Sequence, residues 1–394
     1  MKTQLHGLFL LWLGAAISIA EIVTGTLMAP LGWQRGLAAI LVGHLIGCGL
    51  FLLPAAYLSA QQHQSAIGVT QTVFGPWGVR LFSLLNALQL LGWTAVMIVN
   101  AQLAMNGISQ HLLGFHSAVL MASIVAALII VWLLLDHDWL FRVNNLVVIL
   151  LAVGMLVMMG AILATGHVHP SQGTALSFGS AVELNVTMAL SWLPLIGDYT
   201  RKTTQPWRAS LVSVSGYFLG SVAMFAIGLF TVILTGQADF TAVLAQSKIG
   251  ILALLVIVFS TVTTTFMDAF SAATNLNNLV HRGHVNLWGV GVTVVGLAIA
   301  LGVSMTFYQN FLYAIGAVFS PLFAILAVSV FGLKQRLAVG WNFAWWLVGV
   351  IGYSWLQKLD FFGGTTLLLL LGLSLGVYLT SRVTRRYPLM TKQD

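Results

Sequence analysis

Long apolar segments recur along almost the whole chain and constrain its fold more than any other feature. Each contains about 18 or more predominantly apolar residues, which fits one helix across a bilayer, whereas strands of a membrane barrel would alternate apolar and polar residues. The segments predict an all-α polytopic membrane protein with about twelve transmembrane helices. The predicted spans, numbered 1 to 12, are 8–30, 37–60, 79–106, 117–135, 143–165, 180–198, 211–235, 248–280, 287–305, 309–332, 341–357 and 363–381.

The composition excludes the main classes of soluble protein. Only 6% of the 394 residues are charged, whereas soluble domains have about 25%. Twelve spans leave only short loops, so we expect one transmembrane domain over residues 1–394 and no nucleic-acid partner. Cys48 is the single cysteine, which excludes an intrachain disulfide. Because the sequence has no P-loop, H-E-x-x-H or G-x-S-x-G motif, we expect no enzymatic activity.

The distribution of basic residues predicts the orientation of the chain. Thirteen of the 16 Lys and Arg residues fall on one side of the predicted membrane, and only Arg35, Lys248 and Lys358 fall on the other. Cytoplasmic loops carry the excess of Lys and Arg in membrane proteins. We therefore expect a multi-pass protein of the cytoplasmic (inner) membrane with both termini in the cytoplasm.

Two carboxylates lie inside predicted spans, Glu21 in span 1 and Asp268 in span 8. A carboxylate at the centre of a bilayer costs about 2.5–3.5 kcal/mol on insertion scales, so it usually faces a cavity, a partner or an ion. Either residue could instead be a hydrogen-bonded structural acid. Glu183 and Asp198 lie near span ends, where we expect solvation.

Span 8 has a polar stripe that leads to its acid. Ser260, Thr264 and Asp268 are four residues apart and therefore share one helix face. Hydroxyl and carbonyl oxygens are hard ligands that suit a cation such as sodium. The alternative is that these hydroxyls only bond the carbonyl one turn earlier or pack closely against a neighbouring helix.

Span 3 has a second polar face with a tryptophan at its centre. Its members, Asn86, Gln89, Trp93, Met97 and Asn100, are three or four residues apart. A tryptophan in mid-membrane can stack on a flat ring while a neighbouring amide reads the ring edge. Most of the other tryptophans are expected at the membrane interfaces.

Spans 1 and 6 have the composition of interrupted helices. Span 1 has the small residues Gly14 to Ala16 before Ser18, and span 6 has Pro194, which removes a backbone donor. Paired breaks in corresponding spans indicate an inverted-repeat transporter. We therefore expect one repeat over about 8–165, a second over about 180–332, and two extra helices over about 341–381.

His44 lies inside span 2 between Gly43 and Gly47. A lone histidine in this setting is more often a hydrogen-bonded packing residue than a proton relay, and small residues four apart favour close contact between helices. His167 and His169 lie in a loop, and two ligands do not make a credible metal site.

Several short segments, in their order along the chain, resemble the nucleobase:cation symporter-1 family, which contains cytosine permease and the hydantoin transporter. The segments are 12–20 (WLGAAISIA), Gly92-Trp93, 197–201 (GDYTR), the hydroxyl tract before 270–272 (FSA), and 311–321 (FLYAIGAVFSP). The compact length and residues 16–26 (AISIAEIVTGT) are most similar to the branch of hydroxymethylpyrimidine transporters. The resemblance implies a LeuT-like fold with two inverted five-helix repeats and two C-terminal helices.

The resemblance also implies a sodium site. Its ligands would be backbone carbonyls at the break in span 1 and in span 8, together with two hydroxyls of span 8. They correspond to Gly14, Ile17, Ser260, Thr263 and Thr264. A register one step earlier would use Ser260 and Thr261 as the hydroxyl pair. Protons remain an alternative coupling ion because of Glu21 and Asp268, and no other cofactor is expected.

The substrate residues implied by the resemblance include Trp93 as the stacking residue, Ser18 as the polar contact from span 1, and Met188 or Trp192 from span 6. Relatives have an asparagine where this chain has Asp268. Because an ionised carboxylate only accepts hydrogen bonds, Asp268 fits the amine and protonated ring nitrogen of a 4-aminopyrimidine better than uracil or hydantoin. The full set of expected substrate residues is Ser18, Glu21, Gln89, Trp93, Met188, Trp192 and Asp268.

The expected function is secondary active import of a small aromatic heterocycle by symport with sodium or protons. The expected substrate is hydroxymethylpyrimidine, a precursor of thiamine. A permease for cytosine, purines or allantoin is the alternative within the same class. A channel and an intramembrane enzyme are more remote alternatives, since the paired helix breaks disfavour the first and the missing catalytic motifs disfavour the second.

Overall fold

A computed structural model describes residues 5–135, 137–164, 167–169, 176–237, 239–245, 248–280, 283–303 and 307–390. Apart from one isolated bridge between Arg336 and Tyr387, regular structure in these ranges is helical. Within these ranges, each of the twelve predicted spans coincides with one helix or with consecutive helical segments, and residues 165, 304 and 305 of the predicted spans lie outside the described residues. The helices are α1 (Leu5–Ala16), α2 (Ile19–Thr26), α3 (Gly32–His44), α4 (Leu53–Gln62), α5 (Gln71–Leu113), α6 (Ala118–Leu134), α7 (His137–Leu163), α8 (Phe178–Ser191), α9 (Leu193–Thr200), α10 (Pro206–Thr235), α11 (Phe240–Ala245), α12 (Lys248–Val280), α13 (Val285–Gly302), α14 (Tyr308–Ala327), α15 (Val339–Leu356) and α16 (Thr365–Val383).

Several helical segments have the length and hydropathy needed to cross a membrane. Six qualify on both criteria within the described ranges, and they are Ile19–Gln62, Gly68–Leu113, Pro206–Thr235, Val285–Gly302, Tyr308–Leu333 and Thr365–Val383. Leu5–Ala16 and Ala118–Leu134 are shorter apolar helices. Large apolar side chains are exposed along many of these helices, and Trp33, Trp77 and Trp341 are among them. Such an exterior suits contact with lipid rather than water.

Spans 1 and 6 are interrupted, as the sequence predicts. Between α1 and α2, Ser18 is in extended conformation (φ −140°, ψ 160°) and begins α2 as its N-cap. Between α8 and α9 the chain turns at Trp192, and Pro194 follows in the first turn of α9, where its missing N–H costs no helical hydrogen bond. Both breaks leave backbone groups outside a regular helix in the interior of the protein, which is tolerated where they line a cavity or meet a polar partner.

The structure differs from the predicted spans most clearly at α5 and at the short helix α11. Helix α5 begins at Gln71, eight residues before the predicted start of span 3, and bends at Gly75, which has a φ of +69°. Glycine accepts this conformation without steric cost, and Pro76 follows it. The short helix α11, which precedes span 8, is also absent from the prediction because six residues are too few to produce an apolar run.

Glycines bring α10 into close contact with α1 and α2. A Cβ atom added at Gly228 would lie 2.0 Å from the carbonyl oxygen of Ile22, and one added at Gly25 would lie 2.2 Å from that of Phe225. Small residues at such positions let membrane helices approach closely. This contact brings the polar side chains of α10 against α2, immediately after the break in span 1.

Glu183 corrects the expectation that acids near span ends are solvated. It is fully buried in α8 and accepts hydrogen bonds from the Tyr353 hydroxyl (2.5 Å), the Thr366 hydroxyl (2.6 Å) and the Thr366 backbone N–H (2.8 Å). Thr366 lies in the first turn of α16, where backbone N–H groups favour a negative charge. Glu183 therefore fastens the C-terminal helices α15 and α16 to α8.

Candidate functional site

A small internal cavity lies where the breaks of spans 1 and 6 meet α5 and α12. Its free volume of about 10 Å³ is close to the minimum for a single water molecule. Six of the seven expected substrate residues line the cavity, and Gln89 does not. The lining residues are Ser18, Ala20, Glu21, Trp93, Met97, Met188, Ser191, Trp192 and Asp268.

Trp93 is held by aromatic side chains of α14. Its ring makes edge contacts with Phe311 at 5.5 Å and Tyr308 at 6.1 Å between ring centroids. Its indole N–H is buried and has no hydrogen-bond partner. A buried donor without a partner is costly. Trp93, which lines the cavity, therefore has a donor that remains available for a hydrogen bond.

Met188 and Trp192, the two candidate substrate residues of span 6, both line the cavity. Trp192 lies at the break between α8 and α9, and its ring is fixed by edge contacts with Trp12 (5.5 Å) and Tyr217 (6.2 Å). Trp12 is fully buried in α1. Trp12 is not among the predicted site residues, although its position one turn before the break in span 1 is a signal in the sequence.

Asp268 contributes an acceptor to the same cavity. The side chain is buried, and its Oδ2 atom has no hydrogen-bond partner. Buried polar atoms in folded proteins are almost always hydrogen-bonded, so each exception needs an explanation. The lining residues of the cavity include no Lys, Arg or His. The cavity is therefore suited to a ligand that donates hydrogen bonds or carries positive charge.

Glu21 lines the cavity too, but its two oxygens already have partners. Oε1 accepts from the Tyr217 hydroxyl at 3.2 Å, and Oε2 lies 2.5 Å from the Ser221 hydroxyl oxygen. Both partners are on α10. Tyr217 and Ser221 are not among the predicted site residues, although their spacing of four residues places them on one face of a helix. The two acids therefore differ, because both oxygens of Glu21 are hydrogen-bonded within the protein whereas Oδ2 of Asp268 has no partner.

Gln89 lies beside the cavity rather than in its lining. Its side-chain amide donates to the Asn86 side chain (3.1 Å) and to the carbonyl of Ser191 (2.8 Å), which does line the cavity. The Oε1 atom of Gln89 is buried without a partner. Gln89 thereby ties α5 to the break in span 6.

Four of the five residues implied as sodium ligands, all except Thr264, are linked by hydrogen bonds where α12 contacts the break in span 1. The Ser260 hydroxyl donates to the carbonyl of Ile17 at 2.7 Å, and the carbonyl of Gly14 accepts from the backbone N–H of Ile17 at 3.1 Å. The Thr263 hydroxyl donates to the carbonyl of Ser260 at 2.8 Å, and Thr264 is buried. This donor set consists of uncharged oxygens and fits a hard monovalent cation.

Two other hydroxyls of α12 bond only within their own helix. Thr261 donates to the carbonyl of Ile257 and Thr265 to that of Thr261, both one turn earlier. The Thr263 hydroxyl also bonds within α12, so the earlier register, with Ser260 and Thr261 as the hydroxyl pair, and the later one both stay predictions. Among the described residues, no three His, Cys, Asp or Glu side chains are grouped as metal ligands.

Residues 2–339 match the sequence profile of a family described as permeases for cytosine and purines, uracil, thiamine and allantoin. The chain belongs to this family. It is accordingly a multi-pass membrane permease for nucleobase-like compounds and not an enzyme. No curated protein sequence matches the chain.

Solved structures of other transporters share the fold of this permease. One is Mhp1, a nucleobase-cation-symport-1 family transporter, in a closed conformation with bromovinylhydantoin bound. It superposes with a TM-score of 0.77 at 17% sequence identity, over 98% of this chain and 94% of that chain. The inward-facing conformation of Mhp1 gives 0.71 at 17% identity, over 98% and 92%. A sodium-coupled sialic acid symporter gives 0.69 at 12% identity, over 96% and 91%. The predicted all-helical, LeuT-like fold class is confirmed.

Proposed function

We propose that this permease imports hydroxymethylpyrimidine across the cytoplasmic membrane by symport with sodium. The observation that supports the proposal is that Trp93 and Asp268, which both line the cavity, each have a buried polar atom without a partner, the indole N–H of Trp93 and Oδ2 of Asp268. A 4-aminopyrimidine has a flat face for the tryptophan. Its exocyclic amine and a protonated ring nitrogen together offer two donors to one carboxylate, a charge-assisted bidentate arrangement.

The remaining lining residues have complementary roles in this proposal. Ser18, at the start of α2, offers a hydroxyl to the hydroxymethyl group, and Ser191 accepts at its own hydroxyl oxygen because its proton goes to the carbonyl of Met188. Met188 or Trp192 covers the ring face opposite Trp93. Gln89 positions the carbonyl of Ser191 rather than touching the substrate.

The cation site proposed for Gly14, Ile17, Ser260, Thr263 and Thr264 is joined to the substrate cavity through the chain itself. Ile17 directly precedes Ser18, and the cavity-lining Asp268 lies two helical turns beyond Ser260 on the same face of α12. A cation would take the place of the hydrogen bond from Ser260 to Ile17. It would thereby fix the break in span 1 in the conformation that presents Ser18, so cation and substrate would each favour binding of the other.

The cavity must expand before it admits a heterocycle, because its present volume is close to that of one water molecule. We propose that the repeats at about 8–165 and 180–332 move relative to one another around this cavity, as in alternating access. The excess of Lys and Arg residues on one side of the predicted membrane supports an orientation with both termini in the cytoplasm.

Binding to the purified full-length protein tests the substrate assignment. Radiolabelled hydroxymethylpyrimidine should bind saturably, more tightly with sodium than with choline as the cation. Unlabelled cytosine, uracil, hydantoin and allantoin should compete more weakly. If one of these compounds displaces the label at lower concentration than hydroxymethylpyrimidine itself, that compound is the better substrate and the assignment is wrong.

A further inference from the structure

A continuous chain of hydrogen bonds connects Glu21 on α2 to His44 on α3 through Ser221 on α10. The Ser221 hydroxyl oxygen lies 2.5 Å from Oε2 of Glu21 and 2.6 Å from Nε2 of His44. Nδ1 of His44 lies 2.8 Å from the carbonyl oxygen of Ile40. All three side chains are buried. The two short contacts of Ser221 are the feature that needs an explanation.

Counting protons gives that explanation. The carbonyl of Ile40 can only accept, so Nδ1 of His44 carries a proton in every state. The contacts Glu21–Ser221 and Ser221–His44 need one proton each, but the Ser221 hydroxyl supplies only one. The second proton must therefore reside on Oε2 of Glu21 or on Nε2 of His44. Without it, two lone pairs would face each other in a buried site, which is costly.

We propose that Glu21, Ser221 and His44 form a proton-binding site that holds one transferable proton next to the substrate cavity. In one state Glu21 is a carboxylic acid that donates to Ser221, and Ser221 donates to neutral His44. In the other, the proton of Glu21 has passed to the Ser221 oxygen and the original Ser221 proton to Nε2 of His44. The second state contains a carboxylate and an imidazolium, and the total number of protons is unchanged.

The side chains around Glu21 and His44 include one further hydrogen-bond donor and two aromatic rings. Tyr217 donates to the other oxygen of Glu21 in both states, and the rings of Phe218 and Phe225 pack edge-on against His44. The remaining titratable groups facing Glu21 are Cys48 from the segment between α3 and α4, Tyr308 from α14, and Asp268 across the cavity from α12. The cavity residues of α5 and α8, which are Trp93, Met97, Met188 and Ser191, do not titrate.

The position of Glu21 in the cavity wall gives the proton site a role in ligand binding. A ligand that donates a hydrogen bond or carries positive charge stabilises the carboxylate, and the proton then moves to His44. This step rests on the proposed function, since it takes the cavity to be the substrate site. The shared proton itself does not depend on which compound is carried.

Vibrational and magnetic resonance spectra of the purified full-length protein in lipid nanodiscs, without substrate, test the shared proton. At neutral pH we expect one of two signals. One is the carbonyl stretch of a protonated carboxyl that disappears in Glu21→Gln. The other is a doubly protonated ring, in isotope-labelled histidine spectra, that disappears in His44→Gln. Asp268→Asn identifies the band of the second cavity acid, and His63→Gln is the matched control, because His63 is an exposed loop residue.

Two results would overturn the proposal. If the Glu21 band is absent while His44 is singly protonated, no proton is shared, and if both groups are protonated at once, the count is wrong. Ser221→Ala should uncouple the two groups so that they titrate separately with pH, and Ser221→Thr, which keeps the hydroxyl, should restore joint titration. Should the alanine variant fail to fold, His44→Gln still tests the site. The amide of glutamine can donate to Ser221 in place of Nε2, so Glu21 then needs no proton, and a full-strength carboxyl band of Glu21 at neutral pH in this variant would contradict the shared proton.

The link to substrate is tested in the same samples by adding hydroxymethylpyrimidine. The carboxyl band of Glu21 should weaken as the imidazolium signal of His44 grows. If substrate binds with the shared proton unmoved, the coupling is wrong although the proton site stands. If hydroxymethylpyrimidine does not bind at all while the shared proton is present, the failure lies in the substrate assignment.

Discussion

Replacing Asp268 with asparagine removes the charge of the one unpartnered carboxylate oxygen in the cavity while keeping the size and shape of the side chain. Asp268 is buried, and its Oδ2 atom has no partner in the protein. The substitution therefore breaks no hydrogen bond of that atom within the folded chain. A change in ligand affinity would thus report directly on contact between this carboxylate and the ligand.

The expected loss follows from the kind of hydrogen bond that the carboxylate makes. Hydrogen bonds to charged groups contribute about 1.5–3 kcal/mol, and neutral ones about 0.5–1.5 kcal/mol. The amide of asparagine can still meet the amine and the ring nitrogen of an aminopyrimidine, so only the charge assistance is lost. The difference of about 1.4 kcal/mol corresponds to about tenfold weaker binding. The same amide can donate, so binding of neutral cytosine should improve.

Equilibrium binding of radiolabelled hydroxymethylpyrimidine to purified protein, with cytosine as competitor, measures both effects without any gradient. Asp239→Asn is the matched control, because it makes the same chemical change in an exposed turn, where Asp239 bonds Thr241. Normal binding of both compounds in Asp268→Asn would refute the reasoning. Normal binding combined with lost accumulation in a pH gradient would instead make Asp268 a proton carrier.

Three further sets of substitutions test the stacking residue, the cation site and the packing of the helices. Trp93→Ala should abolish saturable uptake in an inserted, folded protein, whereas Trp93→Phe should keep part of it; unchanged affinity in the alanine variant would remove Trp93 from the site. Thr263→Ala and Thr264→Ala should each raise the sodium concentration for half-maximal uptake and weaken apparent substrate affinity at fixed sodium, and uptake by the native protein that ignores sodium would contradict the cation site. Gly228→Ala should destabilise the protein by about 1–3 kcal/mol, seen as a lower thermal midpoint, because its Cβ would lie 2.0 Å from a backbone oxygen; Gly352→Ala, with open space at its Cβ, is the control, and equal midpoints would contradict the close packing.

Features encoded within single segments could be predicted from the sequence. The apolar runs located the spans, and the small residues before Ser18 together with Pro194 located the two broken helices. The spacing of Ser260, Thr264 and Asp268 defined the polar face of α12. Each of these signals depends on residues close together in the chain, where helical periodicity alone decides which side chains share a face.

Features that depend on contacts between distant segments could not be predicted. Ser221 is 200 residues from Glu21 and 177 from His44, and only the close packing of α10 against α2 brings them together. Glu183 is near a span end, but α15 and α16 cover it with Tyr353 and Thr366. Gln89 has the right spacing to face the cavity, yet its amide is taken by the carbonyl of Ser191.

Accumulation of radiolabelled hydroxymethylpyrimidine in proteoliposomes tests the central claim most directly. With an inward sodium gradient, we expect the internal concentration to exceed the external one, and dissipating the gradient with a sodium ionophore should release the excess. Liposomes without the protein should show neither effect. If the compound only equilibrates across the membrane whether or not a sodium gradient is present, the protein is not a sodium-coupled importer of this pyrimidine.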